Sequence, residues 1–374
     1  MKLGMFMQPL HLAGAQYHEM YDMDVACAIH ADKVGFDELW VGEHTSQRTE
    51  PITNALQFLS ALIPVTERMK LCTGVLNLPH HHPARIAADA AMFDHMSKGR
   101  FIMGIGPGGL ASDFEVFDSD HKASGAMLAS CYAMIRAIWN TDAPYDLETA
   151  HHKVSIKNTV NEALGVGLMP VPYQNPFPRV ATSAMSNFSS TARLAGANDW
   201  DVISANFNLP STVATHWQSY SDGAQGAGMK ADRRNWRVAR SVFVTDSQAQ
   251  ADEYLARETN ALAKYFDFMV THLKAIGYAS IFKSRPDMTD DEVNVEHCIR
   301  EMVIAGDANS VVDQLVAFSE QTGPFGTLLT TFHEWDDETL WRRSMELTAK
   351  QVMPRLSEYM EPRLAEAQQV EYVQ

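Results

Sequence analysis

The chain has 374 residues, of which 46% are hydrophobic and 20% are charged, a balance typical of a folded globular protein. Its 30 Lys and Arg residues are outnumbered by 46 Asp and Glu residues, which gives a formal net charge of −16 at pH 7. Nucleic acids and anionic membranes both select basic surfaces, so we predict that neither is a partner of this acidic chain.

Cysteine usage and the N-terminal residues predict a cytoplasmic protein. The four cysteines contain no C-x-x-C pair, and this spacing suits a reducing compartment better than a disulfide framework. The apolar run at residues 1–7 is broken by Gln8 and Pro9, too early for a signal peptide. No segment approaches the roughly 20 uninterrupted apolar residues of a membrane span.

Short apolar runs alternate with helical periodicity along most of the chain. The first half predicts strands at residues 3–7, 38–42, 69–76 and 101–105, and helices at residues 24–34, 54–63, 83–99 and 126–139. The second half predicts strands at residues 179–182, 201–204, 237–244 and 326–331, and helices at residues 189–195, 247–275, 311–318 and 338–359.

This alternation predicts an α/β fold in which parallel strands are covered by helices. About eight strand–helix units in order fit a closed (β/α)₈ TIM barrel, which typically takes about 250 residues and leaves about 120 over. Two stretches interrupt the alternation, at about residues 145–178 and 277–308. Because the alternation resumes after each, we predict a single domain, residues 1–374, with two insertions.

A glycine-rich segment, residues 104–109 (GIGPGG), matches the pattern G-x-G-x-x-G after a predicted strand. A dinucleotide site needs a helix to begin at once and an acidic residue about 20 positions later at the end of a strand. Residues 110–116 do not indicate such a helix, and residues near 129 lie in a predicted helix. We therefore predict no Rossmann site, although Gly106 and its neighbours allow a ligand to approach the backbone at the barrel mouth.

Histidines follow two of the predicted strands. Glu43 and His44 lie at the mouth, where His44 can exchange a proton with a ligand; a solvent-exposed loop histidine is the alternative. His80, His81 and His82 suggest a metal cluster. However, adjacent side chains on an extended segment point in alternate directions, and no carboxylate completes a ligand set. We predict no metal site there.

Serines at the end of the fifth barrel strand indicate an anion site or a helix cap. Ser183 and Ser186 precede a predicted helix, and hydroxyls with free N–H groups at a helix N-terminus bind phosphate. Plain capping by Ser186 or Ser189 explains the same residues equally well. No P-loop and no G-x-S-x-G segment occurs in the sequence, which weakens nucleotide-hydrolase and α/β-hydrolase interpretations.

Several segments together resemble the bacterial-luciferase-like flavin-dependent monooxygenases, most closely the limonene monooxygenase-like subgroup. They are residues 2–6 (KLGMF), 35–44 (GFDELWVGEH), 78–85 (LPHHHPAR), 93–101 (FDHMSKGRF), 113–117 (DFEVF) and 352–354 (VMP). The resemblance covers most of the chain, and an ordered set spread over several loops is more specific than any single motif above.

The resemblance implies a barrel, usually a homodimer, that binds reduced FMN supplied by a separate NAD(P)H:flavin reductase. FADH2 and F420 are the alternative cofactors. In this family, oxygen adds at the flavin C4a carbon, and the resulting peroxyflavin oxygenates a small organic substrate, here expected to be apolar. Carried over residue by residue, the resemblance implies a catalytic His44, a cis peptide beneath the flavin ring at Gly74 and Val75, a contact with the ring's polar edge at Asn77, and a phosphate site at Ser183 and Ser186.

The sequence departs from luciferase at two positions. Residues 106–108 (GPG) stand where luciferase places an Arg against the phosphate, and Thr45 replaces the second histidine of a pair. We therefore expect no long-chain aldehyde luminescence, and a phosphate held by hydroxyl and backbone N–H groups. Insertion 277–308 is predicted to be a lid over the substrate.

Two other activities remain open from the sequence alone. One is an F420-dependent oxidoreductase that transfers a hydride on the same barrel. The more distant one is a metal-dependent barrel hydrolase built on residues 80–82. Within the monooxygenase hypothesis, Baeyer–Villiger reaction, aldehyde oxidation and epoxidation are equally compatible with the sequence.

Overall fold

The computed structural model describes residues 1–12 and 14–370. Contacts divide the chain into two compact units. The terminal unit comprises residues 1–39 together with the residues from 182 onward, and the central unit comprises residues 40–181. The predicted organisation as a single domain stays a prediction.

The strands form the predicted barrel. Among the described residues they are β1 (Lys2–Met7), β2 (Glu38–Val41), β3 (Lys70–Thr73), β4 (Leu76–Asn77), β5 (Phe101–Gly106), β6 (Tyr145–Glu148), β7 (Lys153–Ile156), β8 (Arg179–Ala184), β9 (Asp201–Ser204), β10 (Trp236–Thr245), β11 (Val303–Asp307) and β12 (Thr327–Thr331). The parallel barrel runs β1, β2, β3, β5, β8, β9, β10, β12, and β12 pairs back to β1. The (β/α)₈ TIM barrel is thus confirmed, and strands such as β10 are buried along their whole length, as strands covered on both faces must be.

Helices follow most of the barrel strands. They are α1 (Tyr17–Val34), α2 (Ala55–Leu62), α3 (Pro83–Met96), α4 (Ala111–Val116), α5 (Ser124–Asn140), α6 (Ser190–Ala197), α7 (Pro210–Gly226), α8 (Gln248–Leu255), α9 (Ala261–Ala275), α10 (Val295–Met302), α11 (Ala308–Thr322), α12 (Glu338–Leu347) and α13 (Met353–Val370). Within the described ranges, none of these helices combines the length and the apolar character needed to cross a membrane.

Several helix predictions were wrong in detail. The predicted helix 247–275 is two helices, because Asn260 ends the connection after α8 and caps α9 by accepting a hydrogen bond from the N–H of Ala263. Helix α4 lies in residues 110–116, which did not indicate a helix in the sequence. Helix α7 was not predicted at all. The predicted last helix, 338–359, is interrupted by a π-helical segment, Thr348–Val352, between α12 and α13.

In the central unit, the predicted insertion at about 145–178 begins with an antiparallel hairpin, β6 and β7. Its last part is fastened to the barrel by Gln174. The backbone N–H and side-chain amide of Gln174 donate to the buried carboxylate of Asp94 at 2.8 and 2.7 Å. A buried carboxylate needs such donors, so this contact fixes the return of the chain to β8.

In the terminal unit, a buried ion-pair network joins the starts of three strands. Arg237 in β10 donates two hydrogen bonds to Glu38 in β2, at 2.8 and 2.9 Å, and lies 3.0 Å from Asp201 in β9. All three side chains are buried. Removing one partner would leave an uncompensated charge, at a cost of about 3–5 kcal/mol.

The second predicted insertion, 277–308, is more regular than expected, since it contains α10 and β11. Strand β11 pairs with the second half of β10. Together with α9, the insertion forms an apolar cluster around Phe266 and Phe282. Leu10 and Phe207, from the loops after β1 and β9, pack against this cluster, so the insertion lies at the carboxyl ends of those strands.

Candidate active site

Three predicted site residues of the central unit lie where their strands end. His44 follows β2, Asn77 ends β4 and Gly106 ends β5. Strands β4 and β5 pair directly, with Asn77 opposite Gly106. Since the carboxyl ends of barrel strands face the same mouth, the central unit presents these residues at the end where TIM barrels place their chemistry.

The imidazole of His44 lies between two carboxylates. Its Nδ1 is 3.1 Å from Oδ2 of Asp113, and its Nε2 is 3.4 Å from Oε2 of Glu50. The other Asp113 oxygen accepts hydrogen bonds from the N–H groups of Thr45 and Ser46 at 3.1 and 2.8 Å, and from the Ser46 hydroxyl at 2.6 Å. Because Asp113 acts only as an acceptor here, the ring hydrogen lies on Nδ1 of His44.

This environment shifts the pKa values of His44 and Asp113 in opposite directions. Burial lowers the pKa of His44, but the hydrogen bond to Asp113 and the charges of Glu50, Asp113 and Glu43 outweigh it, so that the pKa is raised above 6.5. Burial raises the pKa of Asp113, yet hydrogen bonds from His44 and Ser46 leave it well below its ordinary value. His44 therefore keeps its proton to a higher pH than a free imidazole does. Asp113 beside it stays ionised.

Glu43, the residue before His44, organises the end of β4. One of its oxygens accepts from the N–H of Asn77 and contacts Nε2 of His81, both at 3.0 Å, and the other accepts from the N–H of Ala55 at the start of α2. The side-chain amide of Asn77 donates to the Glu43 carbonyl at 3.1 Å. In the described part of the chain, the side-chain oxygen of Asn77, Oδ1, has no hydrogen-bond partner. It can therefore accept a hydrogen bond from an N–H group of a ligand.

Gly74, Val75 and Gly106 form one packed corner. The peptide bond between Gly74 and Val75 is cis, at the position that the resemblance implies. A Cβ atom on Gly106 would lie 2.5 Å from Cγ2 of Val75, so only glycine allows β5 to pass this close. Val75 itself is half-buried. This corner offers a small apolar surface beside the Asn77 carbonyl oxygen.

The three consecutive histidines do not converge. The ring of His80 stacks on that of Phe117, with the ring centroids 5.0 Å apart. His81 contacts Glu43, and the ring centroid of His82 lies 6.1 Å from that of His152. Over residues 1–12 and 14–370, no group of three or more His, Cys, Asp or Glu side chains is placed to hold a metal ion.

In the terminal unit, Ser183 and Ser186 lie at the carboxyl end of β8. Ser183 is half-buried in the strand, and Ser186 is exposed in the loop that follows. Helix α6 is capped by Ser189, so Ser186 is not its cap. Within the described residues, the N–H groups of Ser186 and Asn187 have no hydrogen-bond partner. Such a pair of free N–H groups beside a hydroxyl suits an anion.

A family model described as luciferase-like monooxygenase matches residues 1–324. The chain belongs to this family. It is therefore an enzyme of the luciferase-like monooxygenase family, and the names of its relatives describe monooxygenases. The resemblance inferred from the ordered segments of the sequence is confirmed.

Three relatives of this luciferase-like monooxygenase match over nearly its whole length. It is 30% identical to 4-hydroxyprotoasukamycin monooxygenase of Streptomyces nodosus subsp. asukaensis, covering 95% of this chain and 92% of the relative. It is 28% identical to limonene 1,2-monooxygenase of Rhodococcus erythropolis, covering 96% and 88%. A further relative, 23% identical over 91% of both chains, is the oxygenase component of the flavin-dependent trigonelline monooxygenase of Acinetobacter baylyi.

Solved structures share the fold. The oxygenating constituent of 3,6-diketocamphane monooxygenase from Pseudomonas putida, in complex with FMN, superposes with a TM-score of 0.86 at 24% identity, over 95% of this chain and 98% of the other. An F420-dependent secondary alcohol dehydrogenase superposes with a TM-score of 0.68 at 17% identity, over 95% and 98%. The barrel is thus shared by flavin and F420 enzymes, and the fold alone does not choose between them.

The sequence did not predict the partners of His44. Asp113 is 69 positions away in the chain, and no local pattern joins the two. A usable indication was present, because Asp113 begins the DFEVF segment that resembles the family. Glu50 lies in the irregular loop after β2, where periodicity says nothing about side-chain direction.

Proposed function

We propose that this luciferase-like monooxygenase is the oxygenase component of a two-component system. In this proposal it takes reduced FMN from a separate NAD(P)H:flavin reductase and uses O2 to oxygenate a small apolar substrate. The name of the trigonelline relative as an oxygenase component supports a separate reductase, and the FMN complex of the diketocamphane enzyme supports the cofactor.

The residues of each unit fit a part of FMN. In the central unit, the free Asn77 carbonyl oxygen suits an N–H group of the flavin ring, and the corner of Gly74, Val75 and Gly106 suits its flat apolar face. In the terminal unit, the hydroxyls and free N–H groups around Ser183 and Ser186 suit the phosphate without a basic side chain. When bound, the reduced flavin supplies the electrons with which O2 reacts.

The observation that carries the proposal is His44 held between Asp113 and Glu50. Its Nδ1–H is fixed by Asp113, so Nε2 is the nitrogen that gives or takes a proton at the ligand. The raised pKa means that His44 keeps its proton to a higher pH than a free imidazole does. In this role His44 returns a proton to the oxygen that leaves or to the oxygenated product. The lid at 277–308 excludes water from the substrate.

Rapid mixing tests this function. Enzyme with one equivalent of reduced FMN is mixed with O2, with and without candidate cyclic ketones and terpenes. We expect a transient absorbance band, distinct from those of reduced and oxidised flavin, that decays faster when a substrate is present. With ¹⁸O2, one labelled atom enters the product. Direct oxidation of the flavin with no transient band and no labelled product would contradict the proposal.

The same experiment separates the alternatives. An F420-dependent oxidoreductase would bind reduced F420, transfer a hydride without O2 and give unlabelled product. A hydrolase built on residues 80–82 would need stoichiometric metal, which elemental analysis of the purified protein measures.

We also propose a cytoplasmic homodimer. The four cysteines, Cys27, Cys72, Cys131 and Cys298, are buried thiols, which suits a reducing compartment. Light scattering coupled to size-exclusion chromatography measures the assembly. A mass of one 41.7 kDa chain at micromolar concentration would contradict the dimer.

A further inference from the structure

The backbone carbonyl groups of the loop between β8 and α6 are fixed by hydrogen-bond donors. In residues 184–186, each carbonyl accepts a hydrogen bond within the terminal unit. The donors are the N–H of Ala205 at 3.2 Å, the side-chain amide of Asn208 at 2.6 Å and Nε2 of His216 at 3.0 Å. A trans peptide points its N–H opposite to its C=O. The N–H groups of the two following residues, Ser186 and Asn187, are therefore turned away from these donors.

His216 is the end of a buried hydrogen-bond chain. The indole Nε1 of Trp236 donates to Oγ of Ser204 at 2.9 Å, and Oγ of Ser204 is 2.9 Å from Nδ1 of His216. Indole only donates and the carbonyl of Ser186 only accepts. The directions are thus fixed: the Ser204 hydroxyl donates to Nδ1, and the ring hydrogen of His216 lies on Nε2, facing Ser186.

Burial maintains this arrangement. Ser204, His216 and Trp236 are each completely buried. Burial also lowers the pKa of His216 to about 4, so the ring stays neutral near pH 7 and keeps a single tautomer. The chain joins β9, β10 and α7 to the loop, and only its last link touches the loop backbone.

We propose that His216 is a positioning residue for the phosphate group of the flavin. By donating to the Ser186 carbonyl, it fixes the peptide group that joins Ser186 to Asn187. The N–H groups of Asn187 and Ser186 thus stay directed outward. The inference rests on the proposed function. It makes His216 a determinant of selectivity for flavins that carry a phosphate, and it gives this residue no contact with the flavin ring.

The test compares oxidised FMN with riboflavin, which lacks the phosphate, by fluorescence titration. The readout is the ratio of the riboflavin dissociation constant to the FMN dissociation constant. In His216→Leu we expect this ratio to fall about tenfold, the effect of losing one well-directed hydrogen bond to a charged group. Riboflavin affinity should stay within about twofold. His216→Gln, which keeps an N–H donor of similar reach, should recover most of the ratio.

A matched control and a second variant keep the test decisive. His30 is also a buried histidine whose Nε2 donates to a backbone carbonyl, that of Arg342 at 3.2 Å, so His30→Leu should leave the ratio unchanged. If His216→Leu does not fold, Ser204→Ala removes the preceding link and should lower the ratio about threefold. An unchanged ratio, or equal weakening of both flavins, would overturn the role of His216. Failure of the unaltered enzyme to bind FMN in either its oxidised or its reduced form would instead overturn the proposed function.

Discussion

At His44, two neighbouring carboxylates determine the pH at which the imidazole gives up its proton. Asp113 accepts from Nδ1 and is itself fixed by the backbone of Thr45 and Ser46, so its charge cannot move away from the ring. The proton on Nε2 is therefore held more tightly than in a free histidine, and 17% of the His44 side chain is still exposed to solvent.

Replacing Asp113 with Asn should move the pH dependence of the reaction. His44 acts in its protonated form, and its pKa is raised mainly by Asp113, so activity falls as the pH rises through that pKa. In Asp113→Asn this alkaline decline should begin about one pH unit lower or more. Product formation with excess reduced FMN, measured from pH 6 to 9, checks the shift. Glu115→Gln removes an exposed charge on the same helix, and a profile shifted equally there would refute a specific role for Asp113.

Replacing His44 with Ala should separate binding from chemistry. We expect flavin affinity to change by less than about tenfold and product formation to fall about 10²-fold or more, since acid–base work is lost. Single-turnover assays with pre-reduced FMN measure the second quantity. His95→Ala, a change in a histidine bonded to the carbonyl of Val171, is the control. Unchanged turnover in His44→Ala would remove this residue from the mechanism.

Replacing Ser183 with Asp should weaken flavin binding through charge repulsion. A carboxylate beside the phosphate raises the dissociation constant of FMN about tenfold or more but leaves that of riboflavin nearly unchanged. Ser211→Asp adds the same charge to an exposed position of the same unit and serves as the control. Equal FMN affinity in both variants would place the phosphate elsewhere.

The sequence predicted single candidate residues and missed the contacts between distant ones. His44 is a candidate because it follows a strand end, and a position relative to a strand is encoded within a few residues, whereas Asn77 came only from the family resemblance. The contacts of His44 with Asp113, and of Ser186 with His216, depend on how separate loops meet. No periodicity in the chain reports such meetings, so the geometry had to come from the fold.

At the level of elements, the strands were easier to predict than the helices. Barrel strands are buried on both faces and leave continuous apolar runs, which is why β10 was found almost whole. Helix α7 escaped because its buried face includes Thr212, His216 and Ser219, which break the apolar stripe. The break before α9 was readable in principle from Asn260, a preferred capping residue.

The pairing of β4 with β5 depends on a glycine. In Gly106→Ala the added Cβ would collide with Val75, and we expect a loss of about 1–3 kcal/mol in the free energy of unfolding, as in other overpacked sites. Gly109→Ala has open space around its Cβ and should be neutral or slightly stabilising. Urea unfolding measures both. Equal stability of the two variants would show that β4 moves aside at little cost.

For the whole molecule, buried histidines predict an optimum of stability near pH 6.5. Burial lowers the pKa of His333 to about 3 and that of His216 to about 4. Below pH 6.5 these two histidines therefore bind protons in the unfolded chain but not in the folded chain. Unfolding free energy should then fall by up to about 2.7 kcal/mol per pH unit between pH 6.5 and 4.

On the alkaline side the opposite case applies. Burial lowers the pKa of His11, but hydrogen bonds to Asp24 and Glu334 outweigh it and raise the pKa to about 9. Its stabilising contribution is complete below pH 6.5 and is lost as the pH rises through 9, by up to about 1.4 kcal/mol per unit. Urea unfolding between pH 4 and 9 tests both limbs, and His11→Gln should flatten only the alkaline one. A flat curve throughout would contradict both assignments.

The barrel closes between β12 and β1, the last and first of its strands. A ribosome releases β1 long before β12, on the order of tens of seconds earlier. Throughout that interval the edge of β1 that will meet β12 has no native partner, and an open strand edge invites pairing with another nascent chain. The yield of this enzyme in a host cell should therefore depend on translation speed and chaperone supply more than on the stability of the finished fold.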